Sequence, residues 1–98
     1  MNNKYELKIT SKAARRYKKL IANNKQLQKK VQDTLSLLVN EPFHNKLKTH
    51  KLQISNYGNV YSSSITGDIR IIWDLEREKV TIIILDIGGH SGSKGVYK

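Results

Sequence analysis

The sequence predicts an α+β fold: an N-terminal strand, a two-helix hairpin, then a three-stranded antiparallel meander, with the helices on one face of a twisted sheet. Three observations carry this reading. Tyr5-Glu6-Leu7-Lys8-Ile9 alternates apolar and polar residues, the period of a half-buried strand. Ala13, Ala14, Tyr17, Leu20 and Ile21, then Leu27, Val31, Leu35 and Leu38, recur at helical spacing opposite charged residues. From residue 59 onward the period falls to two and β-branched residues accumulate.

Taken in order, Ser11 stands where an N-cap would accept the first free N–H groups of helix one. Asn23-Asn24 breaks that helix, and Asn40-Glu41-Pro42 ends the second, because a residue before proline is pushed out of the helical region. Residues 59–66 read as a strand turning at Thr66-Gly67-Asp68. Ile69 to Leu75 returns, with Ile69, Ile71, Trp73 and Leu75 on one face and Asp68, Arg70, Ile72 and Asp74 on the other. After a charged turn at Glu76-Arg77-Glu78-Lys79, the run from Val80 to Ile87 is apolar on both faces, as a central strand is. Gly88-Gly89 stops it. Helices on one face leave the other open, and Ile72 is expected there, with Val80, Ile82 and Ile84 if the register permits.

The 98 residues make one domain, 1–98, with no repeat and no Pro/Gly-rich linker. No run approaches the roughly 18 apolar residues of a membrane span, and the N-terminus lacks the apolar stretch of a signal peptide, so a cytoplasmic protein with no membrane partner is expected. With no cysteine, disulfides, Cys-based zinc sites and thiol nucleophiles are excluded. Eighteen Lys and Arg against eight Asp and Glu give a net charge of +10, a field that favours a polyanion. Fourteen of the cations are Lys, which hold phosphates more readily than they read bases.

Candidate chemistry centres on three histidines. His90 follows Gly88-Gly89, where a loop leaves the most buried strand. His50 lies in the basic segment 45–52, and His44 beside Pro42-Phe43 reads as surface. None has metal-ligand spacing, Gly88–Gly95 lacks the spacing of a phosphate loop, and serines 62–64 lack a nucleophile elbow, so no metal or cofactor is expected. What remains suits cleavage of an RNA phosphodiester: a base for the 2′-OH, an acid for the leaving oxygen, cations for the phosphorane. Histidine serves the first two near neutral pH. Arg70 and lysines serve the third, and Asp68, roughly 6.6 Å from Arg70 on the same strand face, can orient a histidine or act itself.

The order strand, two basic helices, His50-Lys51-Leu52, Gly67-Asp68-Ile69-Arg70-Ile71-Ile72-Trp73, Ile87-Gly88-Gly89-His90 and terminal Val96-Tyr97 resembles the RelE/ParE superfamily of bacterial toxin–antitoxin toxins. Within it, the chain is most similar to the YafQ-type mRNA interferases. The resemblance implies a metal-independent endoribonuclease that cleaves mRNA, in many members on the ribosome, and that is neutralised in a hetero-oligomer by an antitoxin encoded beside it. It implies His50, Asp68 and His90 as catalytic residues and Arg70 near the scissile phosphate. Lys46, Lys48, Lys51, Lys94 and Tyr97 are expected to hold RNA. Ser64 stands where that branch often carries a further histidine, and Tyr97 lies farther from His90 than is usual there. Two other functions fit the same composition: a ParE-like toxin that inhibits gyrase by binding, and a non-catalytic basic RNA-binding module.

Overall fold

The N-terminal strand finds its partner near the other end of the chain. β1 (Glu6–Ile9) runs parallel to β5 (Thr81–Gly89), with Glu6 opposite Thr81 and Ile9 opposite Ile84. Between them come α1 (Ser11–Ile21), α2 (Lys25–Asn40), a 3-10 turn (Asn45–Leu47), β2 (His50–Ile54), β3 (Gly58–Ser64) and β4 (Ile69–Glu76). The computed structural model describes residues 4–55 and 57–89. His90, Lys94 and Tyr97 lie outside the described residues.

The sheet has five strands in the order β1-β5-β4-β3-β2 and is mixed, β1–β5 being its parallel pair. The antiparallel meander therefore has four strands and not three. The additional one is β2, whose residues 50–54 read in the sequence as a basic segment because an edge strand needs only one apolar face. Leu52 opposite Val60 and Ile54 opposite Gly58 supply that face.

Thr10, not Ser11, caps α1. Its extended backbone (φ −68°, ψ 159°) leaves the side-chain oxygen to accept from the Ala13 N–H at 3.1 Å, while its hydroxyl donates to the Leu85 carbonyl at 3.2 Å. One side chain thus starts the helix and ties it to β5. Asn24 caps α2 in the same way, accepting from the Leu27 N–H at 3.0 Å.

Both helices cover one face of the sheet. Ala13, Val31 and Leu38 from the helices meet Ile71, Trp73, Ile82, Ile84 and Ile87 in the main core. The register does not put Ile82 and Ile84 on the open face: β5 sets them opposite Leu75 and Trp73, in this core. Val80 is not in a strand. The other face does carry Ile72, which packs with Ile54 and Val60 in a second, smaller core flanked by Leu52, Tyr57 and Leu85.

The two cores are compatible because β5 contains a bulge. Ile72 pairs with Asp86 but Trp73 pairs with Ile84, leaving Leu85 as an extra residue. Ile84 and Ile87, three apart, can then both enter the helix-side core. Without the bulge, strict alternation would put one of them on the far face.

The serines of β3 are buried acceptors. Ser62 and Ser63 are both 0% exposed. Trp73 Nε1 donates to Ser63 Oγ at 2.8 Å, Ser63 and Thr49 hydroxyls meet at 2.6 Å, and Thr49 donates to the Pro42 carbonyl at 2.7 Å. Since the Thr49 proton goes to Pro42, the Ser63 proton must go to Thr49. The relay fixes the buried indole to the exit of α2.

Of the non-glycine residues with positive φ, Asn23, Lys48 and Val80, the β-branched one is the most strained. Val80 ends the β4–β5 turn with φ +50°, a conformation that β-branched side chains rarely adopt, and it is 45% exposed. The left-handed region costs an ordinary L-residue about 1–2 kcal/mol, and asparagine less. Val80→Asn is therefore expected to raise stability by about 0.5–1 kcal/mol, seen as a higher urea midpoint at unchanged slope.

Candidate active site

His50 opens β2, and the residues just before it decide its surroundings. Lys48 closes the 3-10 turn in the left-handed conformation (φ 49°), and its carbonyl serves two side chains at once. Arg70 Nη2 donates to it at 3.2 Å, and His50 Nδ1 lies 3.3 Å from it. A carbonyl only accepts, so this contact places the proton of a neutral His50 ring on Nδ1 and leaves the Nε2 lone pair unprotonated. His50 is exposed.

Arg70 is held in place. It is 9% exposed, and its Nε donates to the buried Ser62 Oγ at 2.7 Å. Both of its partners are neutral oxygens, and it forms no salt bridge among the described residues. A guanidinium has five N–H donors, so these two bonds leave others, and the full charge, for an anion.

Register shows which side chains share this face. His50 stands opposite Ser62, Ser62 opposite Ile72, and Ile72 opposite Asp86, one row across four strands. The next row holds Ser64, Arg70 and Gly88. Sequence order brings together only neighbours along one strand, Ser62 with Ser64, Arg70 with Ile72 and Asp86 with Gly88; the pairing across strands is tertiary.

The remaining expected residues separate. Asp68 lies in the β3–β4 turn, exposed, its own N–H bonded to Thr66 Oγ1 at 3.1 Å. Along the hairpin it stands about four residues beyond the His50 row, roughly 13 Å. It does not orient His50. Lys51 pairs with Tyr61 and so lies on the opposite, helix-side face. Lys46 and the Lys48 side chain are exposed beside the 3-10 turn. His44 is half-buried, its Nδ1 accepting from the Lys46 N–H at 3.0 Å, so it caps the turn.

Asp86 was not singled out from the sequence, where it ends an apolar run. It is 2% exposed and bonded to Arg16 Nη1 at 3.0 Å, with Lys12 Nζ at 3.4 Å and the Ile87 N–H at 2.9 Å. The N-terminal turns of α1 reach round the edge of β5, past the end of β1, to meet it. Lys12 also donates to Tyr57 Oη at 2.8 Å. Arg16 and Lys19 then line a pocket of about 250 Å³ with Leu20, Ile87, Gly88 and Gly89, at the point where the chain goes on to His90. A charged residue inside an otherwise apolar strand was the signal available in the sequence. Among the described residues, no group of three or more His, Asp or Glu gathers as a metal site, and no helix is long and apolar enough to cross a membrane.

The Tyr57 hydrogen bond, and secondarily the Asp86 charge, hold the Lys12 ammonium above its ordinary 10.5 against an opposing desolvation. A raised value favours the folded state fully below 10.5 and ceases to do so as pH climbs through the folded-state value. Tyr57→Phe is accordingly expected to flatten the fall in melting temperature above pH 10.5. Asp86→Ala, which strips a buried acceptor from Arg16, is expected to lose about 1–3 kcal/mol in urea unfolding.

A protein-family model described as "Bacterial toxin of type II toxin-antitoxin system, YafQ" matches residues 5–93. No curated protein matches the sequence. Among solved structures, YafQ from E. coli strain BL21(DE3) superimposes with a TM-score of 0.69 at 18% identity, covering 87% of this chain and 92% of its own. A YoeB/ParE toxin from Agrobacterium tumefaciens gives a TM-score of 0.74 at 16% identity, covering 88% and 99%. The archaeal RelE of the RelE–RelB complex from Pyrococcus horikoshii OT3 gives 0.70 at 22%, covering 92% and 99%. At these identities the structural likeness is one of fold.

Proposed function

Because the chain belongs to the YafQ family of bacterial toxins of type II toxin–antitoxin systems, we propose that it is an mRNA endoribonuclease centred on His50 and Arg70. The observation that supports this most is the pairing, on the one carbonyl of Lys48, of an exposed histidine with a buried arginine that has no carboxylate partner among the described residues. An uncompensated buried cation is costly, and a phosphate beside it would offset that cost.

The chemistry follows from the two groups. His50 Nε2 takes the proton of a ribose 2′-OH, and the freed oxygen attacks the adjacent phosphorus. Arg70, locked by Ser62 and Lys48, meets the charge that builds on the phosphorane oxygens without having to reorganise. The P–O5′ bond breaks and O5′ takes a proton, leaving a 2′,3′-cyclic phosphate and a 5′-OH. That proton is assigned to His90 by the family resemblance, and Asp68 by the same resemblance works at the far end of the face. Lys46, Lys48 and Lys94 hold flanking phosphates, and Tyr97 contacts RNA. Arg15, Lys18 and Lys19 of α1, not engaged by Asp86, suit rRNA phosphates, which makes the ribosome the natural setting.

RelE of P. horikoshii was solved in complex with RelB, and YafQ of E. coli with DinJ. By the same family logic this toxin pairs with an antitoxin, an acidic or amphipathic segment laid over its basic surface.

His50→Gln is expected to lower cleavage by about 10²–10⁴ while leaving the unfolding midpoint unchanged. The measurement is 5′-end mapping of mRNA in a translating extract, with and without ribosomes. Full activity in the His50→Gln protein would remove His50 from the mechanism. Intact mRNA with wild-type protein would remove the nuclease reading altogether.

A further inference from the structure

On the opposite face from His50, the structure exposes an aromatic surface that the proposed reaction does not use. Phe43, in the loop leaving α2, is 56% exposed. Its ring meets Tyr61 edge-on, with centroids 5.4 Å apart, and Tyr61 in turn stacks on Trp73 at 4.6 Å. Trp73 is fully buried and its N–H is satisfied by Ser63, so the platform beneath Phe43 is rigid. Phe43 also lies 6.0 Å from the Trp73 ring, yet remains more than half exposed.

The surroundings are basic. Lys51 is the direct cross-strand neighbour of Tyr61 on the same face, which puts their Cβ atoms about 5 Å apart. Residues 42–55 carry three lysines, Lys46, Lys48 and Lys51, and no acid. An exposed aromatic ring on a rigid support, with a lysine on the same face beside its supporting tyrosine, is the arrangement that binds single-stranded nucleic acid. The ring stacks a base of any identity, and the cation takes the adjoining phosphate.

We propose that Phe43, supported by Tyr61 and flanked by Lys51, is a stacking site for an unpaired RNA base, separate from the His50–Arg70 face. The choice of RNA as ligand rests on the nuclease reading above, and the location rests on the geometry of Phe43, Tyr61 and Lys51. Two faces that each hold RNA would let the protein anchor one strand, or one part of a ribosome, while another is cut.

The test uses the full chain and a single-stranded 2′-O-methyl RNA oligonucleotide, which has no 2′-OH to attack, followed by fluorescence anisotropy. Phe43→Leu keeps apolar cover over Trp73 but removes the π-face, and it is expected to weaken binding about ten-fold. Phe43→Tyr is expected to restore it. Lys51→Ala is expected to reduce the salt slope by about one phosphate contact. Photo-crosslinking of a 5-iodouridine-substituted strand should map to Phe43 or Tyr61. Unchanged affinity in Phe43→Leu, with crosslinks elsewhere, overturns the proposal. So does a Phe43→Leu protein that binds RNA normally but fails to bind its antitoxin, because the patch is then a protein interface. If the wild type never cleaves RNA yet still shows Phe43-dependent binding, the nuclease reading falls and this site stands.

Discussion

The extra residue at Leu85 is the constraint on which the rest of the molecule depends. A strand with four consecutive apolar residues, Ile82 to Leu85, must put apolar side chains on both faces, yet two of its isoleucines, Ile84 and Ile87, are needed in the same core. The bulge resolves that conflict by turning Leu85 and Asp86 to the other face together. Its consequences reach well beyond the strand. Asp86 is delivered to the row that contains His50, where α1 meets it with Arg16 and Lys12. The Leu85 carbonyl is held by the hydroxyl of Thr10, the residue that caps α1. Helix, sheet and candidate site are thus coupled at one irregularity.

Charge distribution explains why a domain with a net charge of +10 holds together. Most of the cations are on exposed helix and loop positions, where water screens them. Three are used structurally: Arg16 and Lys12 on buried Asp86, and Arg70 on neutral oxygens. The first two share the single negative charge of Asp86 and tie α1 to β5. The third is buried with no carboxylate partner among the described residues, its two bonds going to Ser62 and the Lys48 carbonyl. The left-handed backbone at Lys48 closes the 3-10 turn and turns its carbonyl toward Arg70 and His50.

Much of the fold was legible because both helices and the central strands are strongly periodic. The stripe from Ala13 to Ile21 and the alternation in Ile69–Leu75 each have one burial solution. β2 was not legible, since an edge strand with lysine, histidine and glutamine on it has the composition of a loop. For the site, the motifs carrying His50, Asp68 and Arg70 could be recognised, but their grouping could not. Asp68 and Arg70 are two residues apart and separate in depth, one in an exposed turn and one nearly buried. His50 and Arg70 are twenty residues apart and share an acceptor.

By itself, then, the sequence determined the fold class, the family resemblance, the strongly basic charge balance and the residue types available for acid–base chemistry. These depend on composition, period and short motifs, all of them local properties of the chain. Only the tertiary structure decided which side chains act together. It moved Lys51 to the face opposite His50, brought Asp86 into the His50 row, buried Ser62 as the anchor of Arg70, and left the Phe43 ring exposed. The physical reason is that strand register and a single bulge set the face of every residue beyond them, and both are fixed by long-range packing.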